Sequence, residues 1–185
     1  MDDQLLIQGC LRGDLRAQKG LYEKYAPMMM GVCLRYAGDK ELARDLMQDG
    51  FVRLFTRIST YSGSGIFAAW ARKIFVNTAL EHLRHDDALR FSDNIDEVAY
   101  LQDSDMSAIE QLSANELMKC MSELPDGFRT IFNMFAIEGY SHAEIAKELN
   151  INEGTSRSQY ARARLLLQKK VEAMYGSSST KIRKR

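Results

Sequence analysis

The sequence has few helix breakers, few thiols and no net charge. Two prolines, Pro27 and Pro125, in 185 residues leave room for long helices. Three cysteines, Cys10, Cys33 and Cys120, are widely spaced and odd in number. They exclude a disulfide framework and form no metal or redox motif; apolar neighbours point to buried free thiols. No run approaches the roughly 18–20 apolar residues that span a bilayer. The first residues, Met1-Asp2-Asp3-Gln4, are acidic, so no secretory signal is expected, and a cytoplasmic location is. Neither strand-like alternation of useful length nor an internal repeat occurs.

The missing net charge is a cancellation. Lys and Arg number 25, as do Asp and Glu. Residues 1–85 carry 12 basic and 9 acidic groups, and residues 86–110 carry 1 and 8. Residues 111–150 carry 3 and 6, and residues 151–185 carry 9 and 2. A basic segment inside a neutral chain is a prior for nucleic-acid contact by that segment.

What is present is helical periodicity. Asp2 or Asp3 is expected to cap a short helix ending near Gly13. Asp14 caps a second, to about Tyr25. Pro27, acceptable in a first turn, opens a third to about Ala37. Gly38 stops that helix, and Asp39 caps a fourth reaching about Ile58, with Leu42, Leu46, Gly50, Leu54 and Ile58 on one line. Tyr61-Ser62-Gly63-Ser64-Gly65 reads as a loop. The next helix, about Phe67 to His85, turns Phe67, Trp70, Ala71, Ile74 and Thr78 inward. Residues 88–106 lose the period and gain acid, which marks a linker. A second helical block begins near Ser107, with Leu117, Cys120, Met121 and Leu124 at i, i+3, i+4, i+7. Pro125 starts a further helix through Phe128, Ile131, Phe132 and Phe135, which Gly139 ends. The expected fold is all-α, with two small helical domains, residues 1–87 and 107–175, joined by the acidic flexible linker. A basic disordered tail is expected over 176–185.

Within the second block, Ser141-His142-Ala143-Glu144 is a capping box. Asn150 suits a left-handed turn and Asn152 can cap the helix that follows. The result is a helix-turn-helix. On its second helix, Tyr160, Ala163 and Leu167 are expected to face inward, and Arg157, Ser158, Ala161 and Arg162 outward. Small residues let a helix enter the major groove, and guanidiniums reach guanine edges or phosphates. Gly154-Thr155-Ser156 would bring a helix start close to phosphate, with Arg164, Lys169 and Lys170 adding backbone contacts. An ordinary solvated face on a helical hairpin is the alternative.

Several motifs together carry a specific resemblance. Leu124-Pro125-Asp126-Gly127-Phe128-Arg129, Glu138-Gly139-Tyr140-Ser141-His142-Ala143-Glu144-Ile145-Ala146, Glu153-Gly154-Thr155-Ser156-Arg157-Ser158-Gln159 and Arg162-Ala163-Arg164 resemble region 4 of extracytoplasmic-function (ECF) sigma factors of bacterial RNA polymerase. Leu21-Tyr22-Glu23-Lys24-Tyr25-Ala26-Pro27, Ala43-Arg44-Asp45-Leu46-Met47-Gln48-Asp49-Gly50-Phe51, and Phe67-Ala68-Ala69-Trp70 through Val76-Asn77-Thr78-Ala79 resemble region 2. The order matches, and nearly the whole chain is covered.

The resemblance implies a promoter-specificity subunit, not an enzyme, with core RNA polymerase and promoter DNA as partners and no cofactor or small-molecule substrate. An anti-sigma factor, often membrane-bound in the family, is implied as a further partner. Glu41, Asp45, Leu46, Gln48 and Asp49 would lie on the main polymerase-docking helix. Glu41, Asp45 and Asp49 repeat at i, i+4, a like-charge line that a cationic partner would relieve; a solvated face partly neutralised by Arg44 and Arg53 is the other reading. Thr155, Arg157, Ser158, Gln159, Arg162 and Arg164 would meet the −35 duplex. Tyr61, Arg72, Lys73, Asn77 and Arg84 would meet the −10 strand, with Asn77 first among them. The acidic linker would occupy polymerase channels that otherwise hold nucleic acid.

Two other classes stand beside this one. A stand-alone helix-turn-helix regulator with a helical sensor domain would use the same second block. An enzyme or metal protein would use His82, His85 and Asp86, but two histidines at i, i+3 with no cysteine nearby are a weak metal signal. No nucleophile–base pairing and no glycine-rich phosphate loop is found.

Overall fold

A computed structural model describes residues 2–85 and 113–179. The chain divides into two compact units, residues 1–85 and 86–185. Every regular element among the described residues is helical. The expected linker, 88–106, and the expected start of the second block at Ser107 lie outside the described residues, as does the tail beyond Ser179.

In the first unit, Asp2 caps α1 (Asp3–Leu11), Asp14 caps α2 (Leu15–Ala37) and Asp39 caps α3 (Lys40–Arg57). The Asp39 carboxylate accepts from the amides of Glu41 and Leu42, both at 2.9 Å. Such a cap is worth about 1 kcal/mol. Gly38 ends α2 at φ 79°, a left-handed conformation that glycine adopts without a Cβ penalty. A 3-10 turn (Ile58–Thr60) closes α3, and α4 (Phe67–His85) follows the loop.

The two helices expected on either side of Pro27 are one. Helix α2 runs unbroken through Pro27. Proline removes a backbone donor and crowds the carbonyl four residues back, a cost of about 3 kcal/mol. Tertiary packing offsets it: Leu21 and Tyr25 before the proline, and Met29, Val32, Cys33 and Tyr36 after it, are all buried on one face. That face packs on α3 and α4. Burying each large apolar side chain stabilises by about 1.5–3 kcal/mol, so both halves have more to gain than the proline costs.

Helices α3 and α4 approach closely at Gly50. A Cβ there would sit 2.4 Å from the Phe75 ring. Leu46, Leu54, Phe75 and Leu80 fill the space around that contact and are buried. Cys10, Cys33 and Cys120 are free and buried, and burial pushes the Cys33 thiol up to about 12.

In the second unit, Ser113 and Glu116 make a capping box at the start of α5 (Ala114–Ser122). Helix α6 (Asp126–Phe132) begins after Pro125 and does not continue as α-helix to Gly139. It passes into a π-helical turn, Asn133–Ile137, with the Glu138 amide donating to the Asn133 carbonyl at 2.9 Å. A π turn holds an extra residue, so side chains beyond it rotate off the α-helical line. Gly139, at φ 79°, then leads into α7 (His142–Leu149), which α8 (Glu153–Ser179) follows. Helix α8 extends past Tyr175 into the segment expected as tail. Its Ala163, Leu167 and Val171 share a core with Cys120, Met121, Leu124 and Phe132.

Candidate nucleic-acid interface

The α7–α8 pair has the expected local chemistry. The Ser141 hydroxyl accepts from the Glu144 amide at 3.2 Å, and the Glu144 carboxylate accepts from the Ser141 amide at 2.8 Å. Asn150 adopts the left-handed turn at φ 53°. The Asn152 side chain accepts from the Thr155 amide at 2.6 Å. A three-residue turn therefore joins two capped helices, a helix-turn-helix arrangement.

Period and burial together divide α8 into faces. Ser156, Gln159, Ala163 and Leu167 are buried; their spacing of i, i+3, i+7, i+11 is one helical stripe. Arg157 is exposed, and Thr155, Ser158, Arg162 and Arg164 are half-buried. Gln159 corrects the sequence reading. At 5% exposure its amide lies on the inward stripe and does not belong to the outward set. Its neighbour Ser158 donates its hydroxyl to the Thr155 carbonyl at 3.0 Å. Arg157 pairs with Glu153 one turn back, which holds the guanidinium along the helix surface.

Two features behind this face were not anticipated. The His142 ring stacks on Phe135, with centroids 4.2 Å apart and planes 15° apart. Its Nδ1 is 2.9 Å from the Ser156 hydroxyl, and Tyr160 packs against both rings. One imidazole thus ties the start of α7 and the π turn to the buried side of α8. Burial, then the nearby Arg157 guanidinium, lower the His142 pKa below 6.5, against an opposing pull from Glu153. The second feature is Arg129, 3% exposed. Its Nη1 donates to the Leu124 carbonyl at 2.8 Å and its Nη2 pairs with Asp126. A charge so deep needs both partners. The only available sequence signal was its place in the Leu-Pro-Asp-Gly-Phe-Arg motif.

In the first unit, Lys73, Asn77 and Arg84 share one face of α4 by spacing. Lys73 and Arg84 are exposed, while Asn77 and Arg72 are half-buried. Tyr61 is half-buried in the loop before that helix. Its hydroxyl donates to the Gly65 carbonyl at 2.8 Å, and its ring meets Phe67 and Trp70 at 5.2 and 5.4 Å. Tyr61 therefore braces the loop through its hydroxyl and ring. Of the metal candidates, His82 is half-buried on α4, and the side chains of His85 and Asp86 lie outside the described residues.

Helix α3 presents an acidic face. Glu41, Asp45, Gln48 and Asp49 are exposed. Leu46 is not: at 1% exposure it belongs to the core, on the inward stripe beside the acidic line, and offers no surface to a partner. Val52, which the sequence reading passed over, is 60% exposed and falls on the acidic face one turn beyond Gln48. Arg53 pairs with Glu81 of α4, so its charge is committed away from the acidic line.

Comparison with known proteins gives a consistent pattern. Residues 21–88 match the family described as sigma-70 region 2, and residues 114–167 match sigma-70 region 4. Together the two matches cover well over half of the chain. The chain is 27% identical to an ECF RNA polymerase sigma-E factor of Haemophilus influenzae, over 94% of this chain and 97% of that protein. It is 26% identical to an RNA polymerase sigma-H factor of Pseudomonas aeruginosa, over 93% and 95%. Among solved structures it is similar to the sigma factor RpoE of Bartonella quintana, which was crystallised with the anti-sigma factor NepR. That match has 20% identity and a TM-score of 0.49, and covers 82% of this chain and 94% of that one.

Proposed function

The chain belongs to the sigma-70 family, in its ECF group, and from that premise we propose how its surfaces divide the work of a promoter-specificity subunit. An ECF sigma factor binds core RNA polymerase, recognises the −35 and −10 elements and starts transcription. The observation that carries this reading is the presence of both sigma regions, in order, on one chain. A stand-alone helix-turn-helix regulator would need only the second.

The −35 duplex is read by α8. Arg157, Ser158 and Arg162 face the groove, Thr155 approaches phosphate at the helix start, and Arg164 adds backbone charge. Guanidinium contacts to guanine edges specify, and phosphate contacts position. Gln159 acts from behind, packing the helix. The −10 strand meets the α4 face of Lys73, Asn77 and Arg84 with Arg72 alongside, next to the loop that Tyr61 braces. A separated strand offers base edges to Asn77 and phosphates to the cations.

The polymerase docks on the acidic face of α3, through Glu41, Asp45, Gln48 and Asp49, with Val52 as its apolar contact. Commitment of Arg53 to Glu81 favours this over the self-neutralised face. An anti-sigma factor, as is common in the family, competes for these surfaces, and the subunit works in the cytoplasm with its polymerase. No described helix is long and apolar enough to cross a membrane. The test is run-off transcription from a promoter library by core polymerase with and without the chain. The chain should confer initiation on a subset of promoters sharing −35 and −10 sequences. Core polymerase that ignores the chain would overturn the proposal.

A further inference from the structure

The corner between α1 and α2 carries side chains that the fold does not use. The two helices meet in a tight turn, where the Asp14 amide donates to the Gly9 carbonyl at 3.0 Å. They pack closely there: a Cβ on Gly9 would stand 2.4 Å from the Ala17 Cβ. Leu11 and Leu15 flank the turn, 52% and 76% exposed. Arg12 and Arg16 stand beside them and are also exposed. Among the described residues, neither guanidinium has an ionic partner.

The complementary composition stands on α3 of the same unit. Glu41, Asp45 and Asp49 are exposed one turn apart, and among the described residues none of them is ion-paired either. Val52 is the exposed aliphatic side chain on that face. One surface is aliphatic with unpaired cations, the other aliphatic with unpaired anions.

We propose that these surfaces are two halves of one interface: the α1–α2 corner of one copy seats on the acidic α3 face of a second copy. Free chains then self-associate and cover the face on which polymerase docks. The covering, though not the association, rests on the docking assignment of α3.

The page selects a second copy over other occupants. Helix α2 packs on both α1 and α3, so the corner and the acidic face belong to one packed unit, and their charges are left unpaired within it. Pairing them therefore takes another molecule, and a second copy always supplies the matching surface. A polyanion such as DNA fits less well. It would satisfy the arginines but leave the leucines in water, and it would meet the Asp14 carboxylate, which caps α2 through the Arg16 amide at 2.8 Å. A protein face with Val52 among its carboxylates takes up both the charge and the apolar area, and it relieves the like-charge line on α3.

The contact is small. Exposed ion pairs contribute little each, and a patch of this extent belongs with transient interfaces. The association is therefore weak, reversible and sensitive to salt. Each copy offers both surfaces, so the contact forms twice in a closed dimer or once per link in an open chain. Either raises the average mass.

The test is sedimentation equilibrium of the full chain over a range of concentrations. At about 0.05 M salt the average mass should rise with concentration above that of one chain, and at about 0.5 M the association constant should fall about tenfold. Arg12→Glu/Arg16→Glu and Asp45→Lys/Asp49→Lys should each stay monomeric, with helical content unchanged by circular dichroism. An equimolar mixture of the two variants should associate, and the chain carrying all four substitutions should regain self-association. Leu11→Ser/Leu15→Ser should weaken the wild-type association about tenfold. A wild-type chain that stays monomeric, a charge variant that still associates, or a mixture that does not would each overturn the interface. So would a monomeric wild type whose retention on heparin depends on Arg12 and Arg16, because the corner would then be a polyanion site. Retention by core polymerase tests the covering separately. If Asp45→Lys/Asp49→Lys loses self-association but keeps polymerase, docking lies elsewhere, and the covering falls while the interface stands.

Discussion

Single side chains on α8 have opposite duties within one turn. Arg157 is exposed and Arg162 half-buried, while Gln159 between them is buried. Replacing either arginine with alanine should cost about 1–3 kcal/mol of binding at one −35 position, read as promoter-variant transcription by the holoenzyme; unchanged promoter use in both would remove this face from the account. His142 carries a different prediction. Its folded-state pKa is lowered, by burial and then Arg157, so the neutral ring is the form the fold holds. A histidine held neutral is protonated more readily when unfolded. The second unit should therefore lose stability as pH falls below about 6.5, and level off once pH passes the lowered folded value. Thermal melting of the full chain between pH 7.5 and 5 should show that slope, and His142→Phe should flatten it. Glu116 and Glu123 have lowered carboxyl values, Glu116 through Ser113 and Glu123 through Lys170. Their contributions are lost only at lower pH, below this window. None of this was legible from residue spacing. His142 read as part of a cap, and its stack on Phe135 depends on a π turn that no helical period announces.

Elements were more legible than their joints. Caps at Asp2, Asp14, Asp39, Ser141 and Asn152, and stops at Gly38 and Gly139, follow from local chemistry and occur as expected. At one joint, tertiary packing overrode a local signal. Pro27 reads as a helix start, yet buried residues on both sides hold α2 straight through it. Pro27→Ala should therefore stabilise the first unit, by about 1–3 kcal/mol, and raise its melting temperature; a lower one would mean the proline serves the fold. At the α3–α4 crossing the opposite holds. Gly50→Ala would drive a methyl into Phe75, 2.4 Å away, and should cost about 1–3 kcal/mol, measured by chemical denaturation. Leu46 and Gln159 were assigned to interfaces through the resemblance, although the 3.6-residue period already places both on inward stripes. On α3 the acidic line is exposed as expected. Asp45→Lys/Asp49→Lys should sharply weaken retention by core polymerase while leaving helical content intact. Wild-type retention would place the docking surface elsewhere.

Taken over the whole molecule, zero net charge conceals segments with separate partners. The basic end contains the helix proposed to meet duplex DNA, and the mildly basic first unit carries the local acidic face proposed to meet a protein. Electrostatic attraction to DNA is therefore small for the free chain and grows once polymerase covers the acidic face and adds its own contacts. The two-unit organisation could be read from sequence because the acidic stretch interrupts the helical period. The division of labour could not, since it depends on which side chains the fold leaves outside. The most direct measurement is binding of labelled promoter DNA, at fixed salt, by the purified chain alone and by the chain with core polymerase. The account predicts weak, nonspecific binding by the chain alone and tight, promoter-selective binding with a separated −10 segment once polymerase is added. Tight, selective binding by the chain alone, unaltered by polymerase, would contradict it.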